Sequence, residues 1–118
     1  MLVAILLAGC SRKKDKFLNK NFHSLTTKYN FLFNGNNLYA EGLSDLENDI
    51  RENFWNLIPI EKFKYYDLDD EERETNFTRA EEKATLAIQK HSMNVDGKER
   101  NPIMDQAYFL LGKSRYYD

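Results

Sequence analysis

Cys10 is the only cysteine in the 118-residue chain, and the residues around it define its chemistry. Leu7, Ala8 and Gly9 close an apolar run in front of it, and Ser11-Arg12-Lys13-Lys14-Asp15-Lys16 follows at once. Small residues before a cysteine at such a junction form a bacterial lipobox: the thiol receives a diacylglycerol, and cleavage leaves that cysteine as the lipidated first residue. On this pattern residues 1–9 are a signal peptide, residues 10–23 are the lipidated cysteine and a basic tether, and residues 24–118 are the folded part. The alternative is an apolar segment holding an ordinary buried cysteine. Met1 opens directly in the apolar core without the basic region of a complete signal, which points to a start inside a longer signal. A lone cysteine excludes an internal disulfide and any cysteine-based metal site.

The remaining reactive residue types lack the spacing that chemistry needs, so no catalytic residue and no metal site is predicted, and no cofactor beyond the acyl anchor on Cys10. Asp67, Asp69, Asp70, Glu71 and Glu72 form an acidic run without the alternating ligands and glycine of a calcium loop, and a helix N-cap with glutamates in its first turn accounts for them. His23 and His91 lie in different segments, neither at zinc-ligand spacing from a partner, and packing or surface roles are expected for both. Ser24 and Thr26 read as helix caps, since no base is placed to activate them. Asn76-Phe77-Thr78 fits a glycosylation triplet, which beside a bacterial lipobox is a coincidence.

At 31% charged, 14% aromatic and net charge −2, the body has no nucleic-acid footprint. No later apolar run approaches the roughly 20 residues of a transmembrane helix, so membrane attachment rests on Cys10. Ser11 in place of an aspartate favours sorting to the outer membrane, and the basic residues after it lack the acidic signature of surface export. The predicted location is the outer membrane, lipid-anchored and facing the periplasm. The cations Arg12, Lys13, Lys14, Lys16 and Lys20 read as a solvated tether, with contact to lipid headgroups as the alternative. Fully extended, residues 11–23 reach about 40 Å and stand the body off the membrane.

From Ser24 onward the periodicity is helical. Phe31, Gly35, Leu38, Tyr39 and Gly42 share one face, and Leu43, Leu46, Ile50, Phe54 and Leu57 continue at offsets of three or four, with Gly42 predicted to break between two helices and Pro59 to stop the second. A third helix is predicted over Thr75–His91 with Phe77, Ala80, Ala84, Ala87 and Ile88 on one face. Asp96-Gly97 marks a turn, Asn101-Pro102 a new start, and a fourth helix runs from Ile103 to the end with Ala107, Tyr108, Leu111 and Gly112 as packing residues. No alternating strand pattern competes, and the fold class is all-α.

Phe31, Gly35, Tyr39, Gly42 and Pro59 stand at offsets 0, 4, 8, 11 and 28, the places of the aromatic, glycine, aromatic, turn residue and proline in a tetratricopeptide repeat. Ala107-Tyr108-Phe109-Leu110-Leu111-Gly112 repeats the opening of that pattern. Glu47 and Arg51 depart from it, and residues 60–75 exceed a regular connection. The prediction is an irregular α-solenoid start of helical hairpins, with further repeats expected beyond Asp118, because a single unit cannot bury its own apolar face.

Cys10-Ser11, the basic segment, Phe22-His23-Ser24-Leu25-Thr26-Thr27-Lys28-Tyr29-Asn30, Leu32-Phe33-Asn34-Gly35-Asn36 and Tyr39-Ala40-Glu41-Gly42 together resemble the N-terminus of the PorW/SprE lipoproteins, and Trp55-Asn56-Leu57-Ile58-Pro59 and the Asp105–Tyr117 helix continue the likeness. That family serves the type IX secretion system of Bacteroidetes, and gliding motility where adhesins leave by that route. The resemblance implies a non-catalytic periplasmic scaffold whose partners are the outer-membrane translocon and the periplasmic ring and motor components, with neither nucleic acid nor a small-molecule substrate. Two other classes stay open: an outer-membrane repeat lipoprotein of the barrel-assembly type, and a glycan-binding outer-membrane lipoprotein, for which Tyr65, Tyr66, Tyr116 and Tyr117 are candidate stacking residues.

Overall fold

The computed structural model describes residues 12–49, 53–58, 60 and 75–118, and these are mostly helical. The order is α1 (Phe17–Thr26), a π-helical segment (Thr27–Leu32), α2 (Phe33–Asp49), α3 (Asn76–His91), a two-stranded hairpin of β1 (Asn94–Val95) and β2 (Lys98–Glu99), and α4 (Met104–Tyr117). Leu7, Ala8, Gly9, Cys10 and Pro59 lie outside the described residues, as does the acidic run 67–72.

Residues 17–49 form one uninterrupted helical rod, in which Gly42 is an interior residue and not the predicted break. Space explains the glycine. A Cβ built on Gly42 would lie 2.9 Å from Cε1 and 3.0 Å from Cζ of Phe77, and one on Gly35 would lie 2.6 Å from Cδ2 of Leu110 and 3.2 Å from Cβ of Lys83. Both glycines let neighbouring helices pack onto the rod, and the favourable contacts offset glycine's poor helix propensity. The helical hairpin expected to turn at Gly42 is therefore absent, and Phe54 and Leu57 are exposed instead of extending an apolar helix face.

The rod starts at Phe17, so residues 17–23, expected to belong to the basic tether, are helical, and Ser24 and Thr26 sit within α1 and not at a cap. Periodicity misses this turn because its core-facing positions are His23 and Thr27, neither of them apolar. The buried side of the rod then runs Leu32, Gly35, Gly42 and Leu46. The five-residue step from Thr27 to Leu32 falls in the π segment, whose wider turn absorbs one extra residue and keeps both halves facing the same neighbours.

Helix α3 follows the predicted range, capped by Thr75: its hydroxyl accepts from the Thr78 amide at 3.0 Å, and the Thr78 hydroxyl accepts from the Thr75 amide at 3.3 Å. Asn76 donates to Asp45 near the far end of α2, while His91 reaches His23 in α1, so α3 runs antiparallel to the rod. Asp118, at the end of α4, accepts from the hydroxyls of Thr75 and Thr78 at 3.0 and 2.7 Å, so α4 is antiparallel to α3. The interface is lined by Ala80, Ala84, Ala87 and Ala107, all fully buried, with Leu32, Met104 and Leu110, and Phe31, Tyr39, Ile88, Ile103 and Leu111 pack against this core. On α4 the buried face is Met104, Ala107, Leu110 and Ser114, whereas the predicted packing residues Tyr108 and Gly112 face outward. The shift follows from α3, which offers α4 a flat strip of alanines that only one narrow stripe can meet.

The connection between α3 and α4 is a short antiparallel hairpin not foreseen from the sequence pattern, because two-residue strands are too short to alternate. Its turn does fall at Asp96-Gly97, both at positive φ (52° and 73°), the pairing a type I′ turn demands.

Helix propensity alone makes Gly42→Ala stabilising by about 1 kcal/mol. The contact with Phe77 reverses the sign, and overpacking of this kind costs about 1–3 kcal/mol. A lowered urea midpoint for Gly42→Ala, relieved when Phe77→Leu is added, is the expected outcome. A raised midpoint would contradict the close approach.

Candidate functional site

The structure brings together two residues that the sequence keeps 68 positions apart. Nδ1 of His23 lies 2.9 Å from Nδ1 of His91, both residues are buried, and the ring centroids are 5.2 Å apart. One ring must donate and the other accept, so the contact holds a hydrogen bond only while one of the two nitrogens lacks a proton. Phe22 and Phe31 enclose the pair, with centroids 5.4 Å from His23 and 5.2 Å from His91 respectively.

A polar net surrounds the pair. The Thr27 hydroxyl donates to the His23 carbonyl at 2.7 Å and accepts from the Asn101 amide group at 3.2 Å, and that same amide group donates to the His91 carbonyl at 3.0 Å. Asn101 also accepts from the Ile103 amide at 3.1 Å, which starts α4 at the predicted Asn101-Pro102 junction. Glu99 latches the hairpin: its carboxylate accepts from the Ser92 hydroxyl and, at 2.8 Å each, from the amides of Met93 and Asn101. Burial pushes its pKa up, and these hydrogen bonds outweigh it to leave the carboxyl below its usual range.

The polar groups of this cluster are engaged with one another across three segments of the fold. Among the described residues no three His, Cys, Asp or Glu side chains converge as a metal site would require. Of the packing and surface roles open to the histidines, their burial selects packing. What the sequence conceals is that they pack on each other, although His91 continues the Phe77-Ala80-Ala84-Ala87 face of α3 at the same spacing.

The segment next to Cys10 is tied to this end of the fold. Arg12 donates to the Gln89 carbonyl near the end of α3, and Asp15 lies 3.5 Å from Arg100. Residues 12–23 therefore do not form an extended spacer. The opposite end holds an aromatic cluster, with Phe77 stacked on Tyr117 at 5.2 Å and Tyr39 edge-on to Phe77 at 5.6 Å, while Lys113 lies 4.2 Å over the Tyr39 ring and donates to Asn36 at 2.8 Å. Phe31, Gly35, Tyr39, Gly42, Ala107 and Leu111 line the interhelical contacts.

Outward faces carry the other large apolar side chains. Tyr108, Phe109 and Tyr116 are exposed on α4, and Phe54, Trp55, Leu57, Ile58 and Ile60 are exposed after α2. Leu18, Phe22, Leu25, Tyr29 and Phe33 are exposed along the rod at steps of three and four residues. That last spacing was available in the sequence, hidden by treating residues 11–23 as tether.

The protein is mostly helical, with three packed helical segments among the described residues. No protein-family model matches the chain, and no curated protein is significantly similar to it. Among the described residues no helix is long and apolar enough to cross a membrane.

Burial first, then the positive charges of His23, Lys90 and Arg12, lower the pKa of His91 below 6.5. The unfolded chain takes up that proton at about pH 6.5 and the folded chain only at lower pH, so this contribution to stability is complete above about 6.5 and declines as pH falls toward the folded-state value. The urea midpoint is expected to drop between about pH 7.5 and 5.5, before carboxylates such as Glu99 titrate, and His91→Phe is expected to flatten the drop. An unchanged midpoint over that window in the parent chain would contradict a buried neutral His91.

Proposed function

We propose that this chain is the N-terminal portion of a non-catalytic lipoprotein scaffold of the type IX secretion system, held by an acylated Cys10 on the periplasmic face of the outer membrane and linking the translocon to ring and motor components. The observation that carries this reading is the run from Cys10 through Gly42, whose residue types and spacing resemble the PorW/SprE lipoproteins. The packing is compatible with it, because Gly35 and Gly42 within that run are the points where Leu110, Lys83 and Phe77 approach the rod.

A tetratricopeptide-like solenoid belongs to the same proposal. The antiparallel α3–α4 pair with its alanine-lined contact is a unit that such an array stacks, and the exposed Tyr108, Phe109 and Tyr116 of α4 supply a face for a following helix.

The test is affinity purification of the full-length lipidated protein from detergent-solubilised membranes, with mass spectrometry of what stays bound. Recovery of the outer-membrane translocon and ring subunits is expected, and Cys10→Ala is expected to release the protein from the membrane and impair secretion. Recovery of barrel-assembly or glycan-uptake components, or full secretion by the unlipidated form, would overturn the proposal.

A further inference from the structure

The rod carries an apolar face that nothing among the described residues covers. Leu18, Phe22, Leu25, Tyr29 and Phe33 lie one helical turn apart and are 75%, 50%, 62%, 58% and 59% exposed. They share one side of the rod, while His23, Thr27, Leu32 and Gly35 turn the other toward α3 and α4. A stripe of this length on one helix face marks an interaction surface.

Charge identifies the partner. Between Arg12 and Ala40 the chain has six Lys or Arg residues and one carboxylate, Asp15, whereas the whole chain carries net charge −2. The carboxylate is spent within the fold, since Asp15 faces Arg100 at 3.5 Å. Lys14, Lys16 and Lys20 are exposed at the N-terminal end of the rod, where the stripe begins, and Lys28 lies 5.4 Å over the ring of Tyr29. A second copy of this face would offer these cations no counter-charge, because no acidic residue occurs from Lys16 to Ala40. Aromatic and leucine side chains on one face, lysines beside them and no acids between are what an interfacial helix presents to a bilayer with anionic headgroups.

Arg12 is bonded to the Gln89 carbonyl, so the body begins two residues after Cys10, a span of about 7 Å. We propose that the Leu18–Phe33 face of the rod lies on an anionic bilayer surface, so that the folded body rests on the membrane beside its anchor. The placement beside an anchor rests on the lipoprotein reading; the affinity of the face for lipid does not.

The experiment uses the full chain as Cys10→Ser, so no acyl group contributes. It is sedimented with vesicles of phosphatidylcholine and phosphatidylglycerol in a three-to-one ratio, and with pure phosphatidylcholine. Binding to the anionic vesicles is expected, weakened by salt. Leu25→Glu and Leu18→Glu are each expected to weaken it at least roughly tenfold, with far-ultraviolet circular dichroism unchanged, and Tyr108→Glu on α4 to leave it unaltered. A chain that stays in the supernatant overturns the proposal. So does binding that survives both rod substitutions, which assigns it to residues 1–9, and so does loss of a dimer in Leu25→Glu without change in vesicle binding, which assigns the face to a second copy. Whether Cys10 is acylated in the host is read separately and does not enter this assay.

Discussion

The close approach of α3 and α4 to the rod at Gly35 and Gly42 is the constraint on which the other contacts depend. With Cβ positions that would fall 2.6 and 2.9 Å from neighbouring side chains, these two sites fix how near the helices lie and at what register. Phe77 beside Gly42 fixes one end, where it stacks with Tyr117 and meets Tyr39. Running α3 antiparallel from that point delivers His91 to His23 at the other end, and the π segment keeps the two halves of the rod in phase with it. The buried histidine pair is thus a consequence of helix register, stabilised by Thr27 and Asn101 and not by charge.

Much of the helical content is legible in the sequence, and the reasons for the remainder are specific. Thr75–His91 reads cleanly because its alanines and Phe77 recur at helical spacing behind a capping threonine. Asp96-Gly97 and Asn101-Pro102 read cleanly because each has a backbone requirement that few residue types meet. Gly42 misleads because the same residue ends helices and admits neighbours, and only the position of Phe77, 35 residues on, separates the two roles. The start of α1 is hidden because its buried positions are polar and its apolar positions face outward, inverting the pattern that periodicity detects. The histidine pair is hidden because contact across two helices leaves no local spacing, and Tyr108 and Gly112 mislead because a repeat pattern matched in sequence does not say which side meets α3.

The same inversion bears on how the molecule meets its surroundings. The basic segment after Cys10 suggests a spacer, yet Arg12 and Asp15 are engaged by the folded body and the rod begins at Phe17. The part of the chain nearest Cys10 is therefore part of the packed structure. Its exposed aromatic and leucine side chains lie on that same rod, while the exposed aromatics of α4 lie on a different helix. These two outward surfaces on different helices are what the proposed scaffold would use, one for a membrane and the other for protein.

Acylation of Cys10 is the step on which the proposed membrane attachment rests most directly. Mass spectrometry of the N-terminal peptide from the protein isolated from its host decides this. The expected result is a mature chain that begins at Cys10 with the mass of a diacylglyceryl group on its sulfur. A chain that retains residues 1–9 with a free Cys10 thiol would contradict the account at its foundation.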